Sequence, residues 1–221
     1  MKNLIINTTF ALALLVANSA SAITIAGHDF AATASSATGS ADTFLNWNPA
    51  LDATGISADQ LNSDMTDNNP GTYVFSSAAD AYIDVGFGIN NVYNGAGYDL
   101  ALFFVGDGGH TGNLVLSDTG QSMAFTTPTY TGLFIDELFN DDQGNPVQSP
   151  IYVSLFDFDD IALDGQTALN NFRLEIGGAS AVPSLMAAFH TSPTMTAVPL
   201  PAPLLLLASG LFGLGLLRRK K

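Results

Sequence analysis

Apolar and polar residues alternate through much of the middle of this chain. In "AYIDVGFG" (81–88), Ala81, Ile83, Val85 and Phe87 fall on one side, and Tyr82, Asp84 and Gly86 on the other. That two-residue period predicts a strand with one buried face. "YDLALFFVG" (98–106) is almost continuously apolar, which predicts a strand covered on both faces. Further strand patterns are "GNLVLSD" (112–118), "QSMAFTT" (121–127), "IYVSLFDF" (151–158), "FRLEIGG" (172–178) and "SLMAAFHT" (184–191), separated by Gly, Asp, Asn and Pro. "SDTG" (117–120) predicts a tight hairpin connection between two of them. One short helix is expected at "SADQLNSDM" (57–65), where Ser57 and Gln60 have capping-box spacing and Leu61 and Met65 lie four apart. No period of about 20–50 residues repeats, which argues against a solenoid. Short strands punctuated by turn residues predict an all-β fold, an antiparallel β-sandwich or jelly roll.

The two ends follow other patterns. Lys2, the apolar stretch "LIINTTFALALLVA" and the small residues Ala20 and Ala22 have the order of an export signal, so residues 1–22 are expected to be removed and the mature chain to begin at Ile23. This leaves 23–197 as the body. At the other end, Leu204–Leu217 is uncharged and mostly apolar, and as a helix spans about 21 Å. Counting back to Val198 gives about 30 Å, the thickness of a hydrocarbon core. That count includes Pro199, Pro201 and Pro203, so a helix is expected to begin close to Pro203. Arg218, Arg219, Lys220 and Lys221 form a basic stop that places the C-terminus in the cytoplasm. Gly210, Gly213 and Gly215 thin the helix and weaken the anchor.

These residues carry a family resemblance. "VPLPA" (Val198, Pro199, Leu200, Pro201, Ala202), an apolar stretch and a terminal "RRKK" resemble the PEP-CTERM sorting signal in its VPLPA variant. Leu200 stands where the commoner form has glutamate. The resemblance covers 198–221 and the overall plan of signal peptide, exported body and tail. It implies processing by exosortase, a membrane-embedded cysteine protease or transpeptidase. It also implies an inner-membrane intermediate, and a final place at the cell surface or in the extracellular matrix of a Gram-negative bacterium that makes exopolysaccharide and biofilm. The body, from "YDLALFFVG" through "IYVSLFDFDDIAL" to a final apolar strand, is similar in texture to galactose-binding-like jelly rolls.

Charge narrows the partners. Arg173 is the single cation between Lys2 and Arg218, while all 20 carboxylates lie between Asp29 and Glu175. One cation against 20 carboxylates leaves the middle at −19, which repels phosphate backbones and excludes nucleic acid as a partner. With no cysteine there is no disulfide, thiolate site or cysteine nucleophile.

Candidate chemistry is sparse. His28, His110 and His190 lie in separate segments without metal-ligand spacing, and Ser117, Ser122 and Ser154 lack a nucleophile-elbow motif. Asp157, Asp159, Asp160 and Asp164 in "FDFDDIALDG" are hard oxygen ligands crowded at a strand end, a candidate structural Ca²⁺ site. Asp141 and Asp142 in "NDDQGN" form a second acidic pair. Charge runs of this kind are usually solvated. Trp47 and Tyr93, each beside asparagines, are candidate carbohydrate contacts. The expectation is a non-catalytic surface or matrix protein, sorted by exosortase and binding carbohydrate or calcium. The alternative is a secreted polysaccharide hydrolase or lyase acting through Asp carboxylates.

Overall fold

The computed structural model describes residues 22–40, 44–46, 54–76, 78, 80–106, 111–125, 128–140, 146–176 and 182–193. β1 (Ile23–Ile25) and β2 (His28–Phe30) form a hairpin. β3 (Ala32–Thr33), β4 (Ser36–Gly39), β5 (Leu45–Asn46) and β6 (Thr54–Gly55) follow, then helix α1 (Ala58–Thr66). The centre holds β7 (Tyr82–Gly86), β8 (Asn90–Val92), β9 (Leu100–Val105), β10 (Asn113–Leu116) and β11 (Gln121–Ala124). The last part is β12 (Thr129–Asn140), β13 (Pro146–Phe156), a 3-10 turn (Phe158–Ile161), β14 (Asn171–Glu175), β15 (Pro183–Ala188) and β16 (Thr191–Pro193).

Two five-stranded antiparallel sheets carry the fold. The first runs β11-β10-β14-β7-β4 and the second β12-β13-β9-β15-β3. Between them lies one apolar cluster. Ile83, Val85, Leu114, Leu116, Phe172 and Leu174 come from the first sheet, and Leu100, Leu102, Phe104, Phe156, Met186 and Ala188 from the second. The architecture is therefore all-β and sandwich-like, as the strand patterns predicted.

The outer faces differ. All six residues of β9 are buried. Leu100, Leu102 and Phe104 enter the inter-sheet core, while Ala101, Phe103 and Val105 enter a second cluster with Ile151, Val153, Leu185 and Ala187. Phe30 from the β1–β2 hairpin, Tyr73 and Ile135 close that cluster from outside. The continuous apolar run of β9 follows from this double cover. The first sheet has a core on one side only, so β7 keeps its alternation, with Ile83 and Val85 buried and Tyr82 and Asp84 half-buried on the outer side.

The local signals translate closely. Ser57 Oγ accepts from the Gln60 backbone N–H at 3.1 Å and caps α1, whose Leu61 and Met65 enter the core. The capping box is only half made, because the Gln60 amide donates to Asp64. Asp64 is buried, its Oδ2 has no partner among the described residues, and burial raises its carboxyl pKa. In "SDTG", the Gly120 N–H donates to the Leu116 carbonyl at 2.8 Å, and Gly120 takes φ +73°, which closes the β10–β11 hairpin.

Candidate ligand-binding face

The uncovered side of the first sheet is a two-row grid set by strand register. Thr38, Asp84, Arg173, Val115 and Ser122 are cross-strand neighbours in one row. Tyr82, Glu175, Asn113 and Ala124 form the next. They share one side because each lies an even number of residues from its strand neighbours.

At the centre, Arg173 makes a bidentate pair with Asp84. Nε donates to Oδ1 at 2.7 Å, and an Nη donates to Oδ2 at 2.9 Å. The guanidinium carbon lies 4.1 Å from the centre of the Tyr82 ring, a stacked cation–π contact. The hydrogen bond to Asp84 holds the Arg173 pKa above its ordinary value, with Tyr82 and Glu175 adding to the shift. Beside Arg173 the surface dips into a depression of about 310 Å³, lined by Asp80, Tyr82, Asn113, Arg173 and Glu175. Gly112, also in the lining, admits no side chain, since a Cβ there would meet the Glu175 carbonyl at 2.3 Å.

A second cluster gathers at a loop end. Asp99 is fully buried and accepts from the Gly95 N–H at 2.7 Å and the Phe158 N–H at 2.8 Å. Burial pushes its carboxyl pKa up. The two N–H bonds and nearby His190 oppose that shift, and Asp157 adds to it. His190 Nε2 lies 4.0 Å from Asp99 and 3.2 Å from the Ala96 carbonyl, and Tyr93 packs at 5.8 Å from the His190 ring. Asn94 donates to Asp159 and to the Leu163 carbonyl, both at 2.8 Å. This arrangement is a latch: it pins the loop after β8 to the turn after β13, with its central carboxylate out of solvent.

The latch absorbs much of the acidic 157–164 segment. Asp157 caps the 3-10 turn by accepting from the Asp159 N–H at 3.0 Å, and Asp164 accepts from the Gln166 N–H at 3.1 Å. Asp160 is exposed. Among the described residues no three His, Asp or Glu side chains form a group that could hold a metal ion. Tyr93 is half-buried and packs against His190 within the latch. Trp47, His110, Asp141, Asp142, Val198–Ala202 and the Arg218–Lys221 cluster lie outside the described residues. Among the described residues no helix is long and apolar enough to cross a membrane.

Arg173 was not singled out as a site residue by its local sequence. Its signal was its isolation: the one cation of an acidic body must stand beside a carboxylate, but only the β14–β7 register shows which one. No family model, no curated protein and no solved structure matches this chain.

Proposed function

We propose that this chain is an exported, non-catalytic surface or matrix protein that holds exopolysaccharide on the open face of its first sheet. In this reading the body is a jelly roll akin to galactose-binding domains, delivered through the inner membrane and processed at its tail by an exosortase. One observation carries the binding role. The inner strands of the second sheet are apolar and covered on both sides, only its edge strand β12 exposing Tyr130, Leu133 and Phe134. The first sheet instead presents Arg173, Tyr82, Asn113 and Glu175 around a depression, with Asp84 beside it. Mixed donors and acceptors beside a flat stacked surface suit a polyhydroxylated chain. For the hydrolase or lyase alternative Asp84 is committed to Arg173, so Asp80 and Glu175 would have to serve as the acid and base.

The binding role is tested by co-sedimentation with the host's exopolysaccharide. Arg173→Ala should weaken retention by about tenfold, the scale of a lost hydrogen bond to a charged group. The fold should survive, because a half-exposed ion pair contributes at most about 1 kcal/mol. Equal retention of both forms would remove the face from consideration.

The export reading has support at the front of the body. β1 begins at Ile23, the residue expected to follow the cut, and Ile25 is buried against the second sheet. For the tail, Pro199→Ala with Pro201→Ala should leave export intact but trap full-length protein in the inner membrane. The prolines keep the motif extended, the form a protease binds. If the double variant still reaches the exterior at a shortened mass, the motif is a linker only.

A further inference from the structure

The chemistry of the open face narrows its ligand, given the binding role proposed above. We infer that the face takes an uncharged linear polysaccharide laid across the strands.

Charge comes first. The depression is lined by one cation, Arg173, and two carboxylates, Asp80 and Glu175, with Asp84 bonded to the cation beside it. The cation is already bonded through two donors to Asp84. An acidic sugar would have to share Arg173 with Asp84 and enter the field of a chain with net charge −14. An amine-bearing polymer would gain from Asp80 and Glu175, but both are exposed, so salt screens that gain as it screens the repulsion of an acidic polymer. What remains is a ligand that both donates and accepts hydrogen bonds without charge, and a hydroxyl does both. Glu175 and Asp80 accept, Asn113 does both, and Thr38 and Ser122 extend the polar row at its two ends. Val115 and the flat Tyr82–Arg173 stack supply apolar surface against which the C–H face of a sugar ring can rest.

Geometry sets the direction. The row Thr38–Asp84–Arg173–Val115–Ser122 crosses all five strands, and the pairings that build it have no register shift. At about 4.8 Å between strands it is about 19 Å long, and the Tyr82–Glu175–Asn113 row runs parallel about 7 Å away. The sheet stops at β11 on one side and β4 on the other, so both ends of the track lie at sheet edges. This is a track for several sugar units, with the depression as its deepest point.

The test titrates the full-length chain in detergent with three oligosaccharide series of increasing length. These are neutral glucans and galactans, oligogalacturonates, and glucosamine oligomers. Neutral oligomers should bind, more tightly with length and with little change between low and high salt. Glu175→Gln and Asn113→Ala should each weaken that binding by about three- to tenfold. Asp59→Asn, with the same charge change as Glu175→Gln but on the exposed side of α1, should not. Tighter binding of the acidic or amine series, with steep salt dependence, overturns the inference and leaves the binding role standing. So does a monosaccharide binding as tightly as the longest oligomer. If no series binds, or Arg173→Ala binds as the wild type does, the binding role itself fails.

Discussion

Asp99→Ala should lower the unfolding free energy by about 2–4 kcal/mol, measured by urea denaturation at neutral pH. The substitution strips the Gly95 and Phe158 N–H groups of their acceptor, and each orphaned buried donor costs about 1–3 kcal/mol. Relief of a buried carboxylate offsets part of this. Because the two donors lie in different segments, their loss also frees the loop after β8 from the turn after β13. Asp99→Asn should fall between wild type and alanine, since its one carbonyl oxygen can satisfy one N–H while its amide faces the other. The pH dependence follows from the raised pKa. Protonation in the folded state contributes stability that is full below the ordinary aspartate value of about 3.9 and is lost as pH rises through the folded value. The gap between wild type and Asp99→Asn should therefore be widest in acid and narrow toward neutrality. Coincident denaturation curves for wild type and alanine would show that the latch holds nothing.

Phe30→Ala should cost about 3–5 kcal/mol, the range for emptying a buried phenylalanine site. Phe30 is buried in the cover of the second sheet and packs edge-on to Phe103 at 5.9 Å and against Phe189 at 4.6 Å. It comes from the short β1–β2 hairpin, which the Ala31 N–H, donating to the Ala188 carbonyl at 2.9 Å, joins to the second sheet. The Phe30→Leu variant separates the lost volume from a general intolerance at this position and should recover most of the stability. Because the cover and the open face belong to different sheets, oligosaccharide binding by folded Phe30→Leu should match wild type. A loss below about 1 kcal/mol for alanine would mean that the hairpin does not seal the outer core.

Residues read one strand at a time carried a good deal of this molecule. The alternation in 81–88 placed Ala81, Ile83, Val85 and Phe87 inside, and the unbroken apolar run of 98–106 announced a strand with two covered faces. The Ser57 cap and the 117–120 turn were equally local. Such signals survive in sequence because they record which side of one element meets water, and that period is a property of the element alone. The hairpin that covers the second sheet and the twelve-residue β12 left weaker traces, since their residues are short, mixed or partly exposed.

Neither the open face nor the latch could be read this way. Arg173 meets Asp84 across 89 positions, and Asp99 meets Phe158 across 59. No periodicity encodes a partner so distant, because pairing depends on which strands become neighbours and in what register. The carboxylates of 157–164 show the same limit. Their spacing suggested shared ligands, but the chain direction after β13 turned Asp157 and Asp159 toward backbone N–H and Asn94. The sequence by itself determined seven of the ten strands in the two large sheets, the buried sides of β7 and β9, and the acidic, cation-poor body. Tertiary closure alone decided which polar residues face one another, because a side chain's chemistry depends on neighbours that only folding brings near.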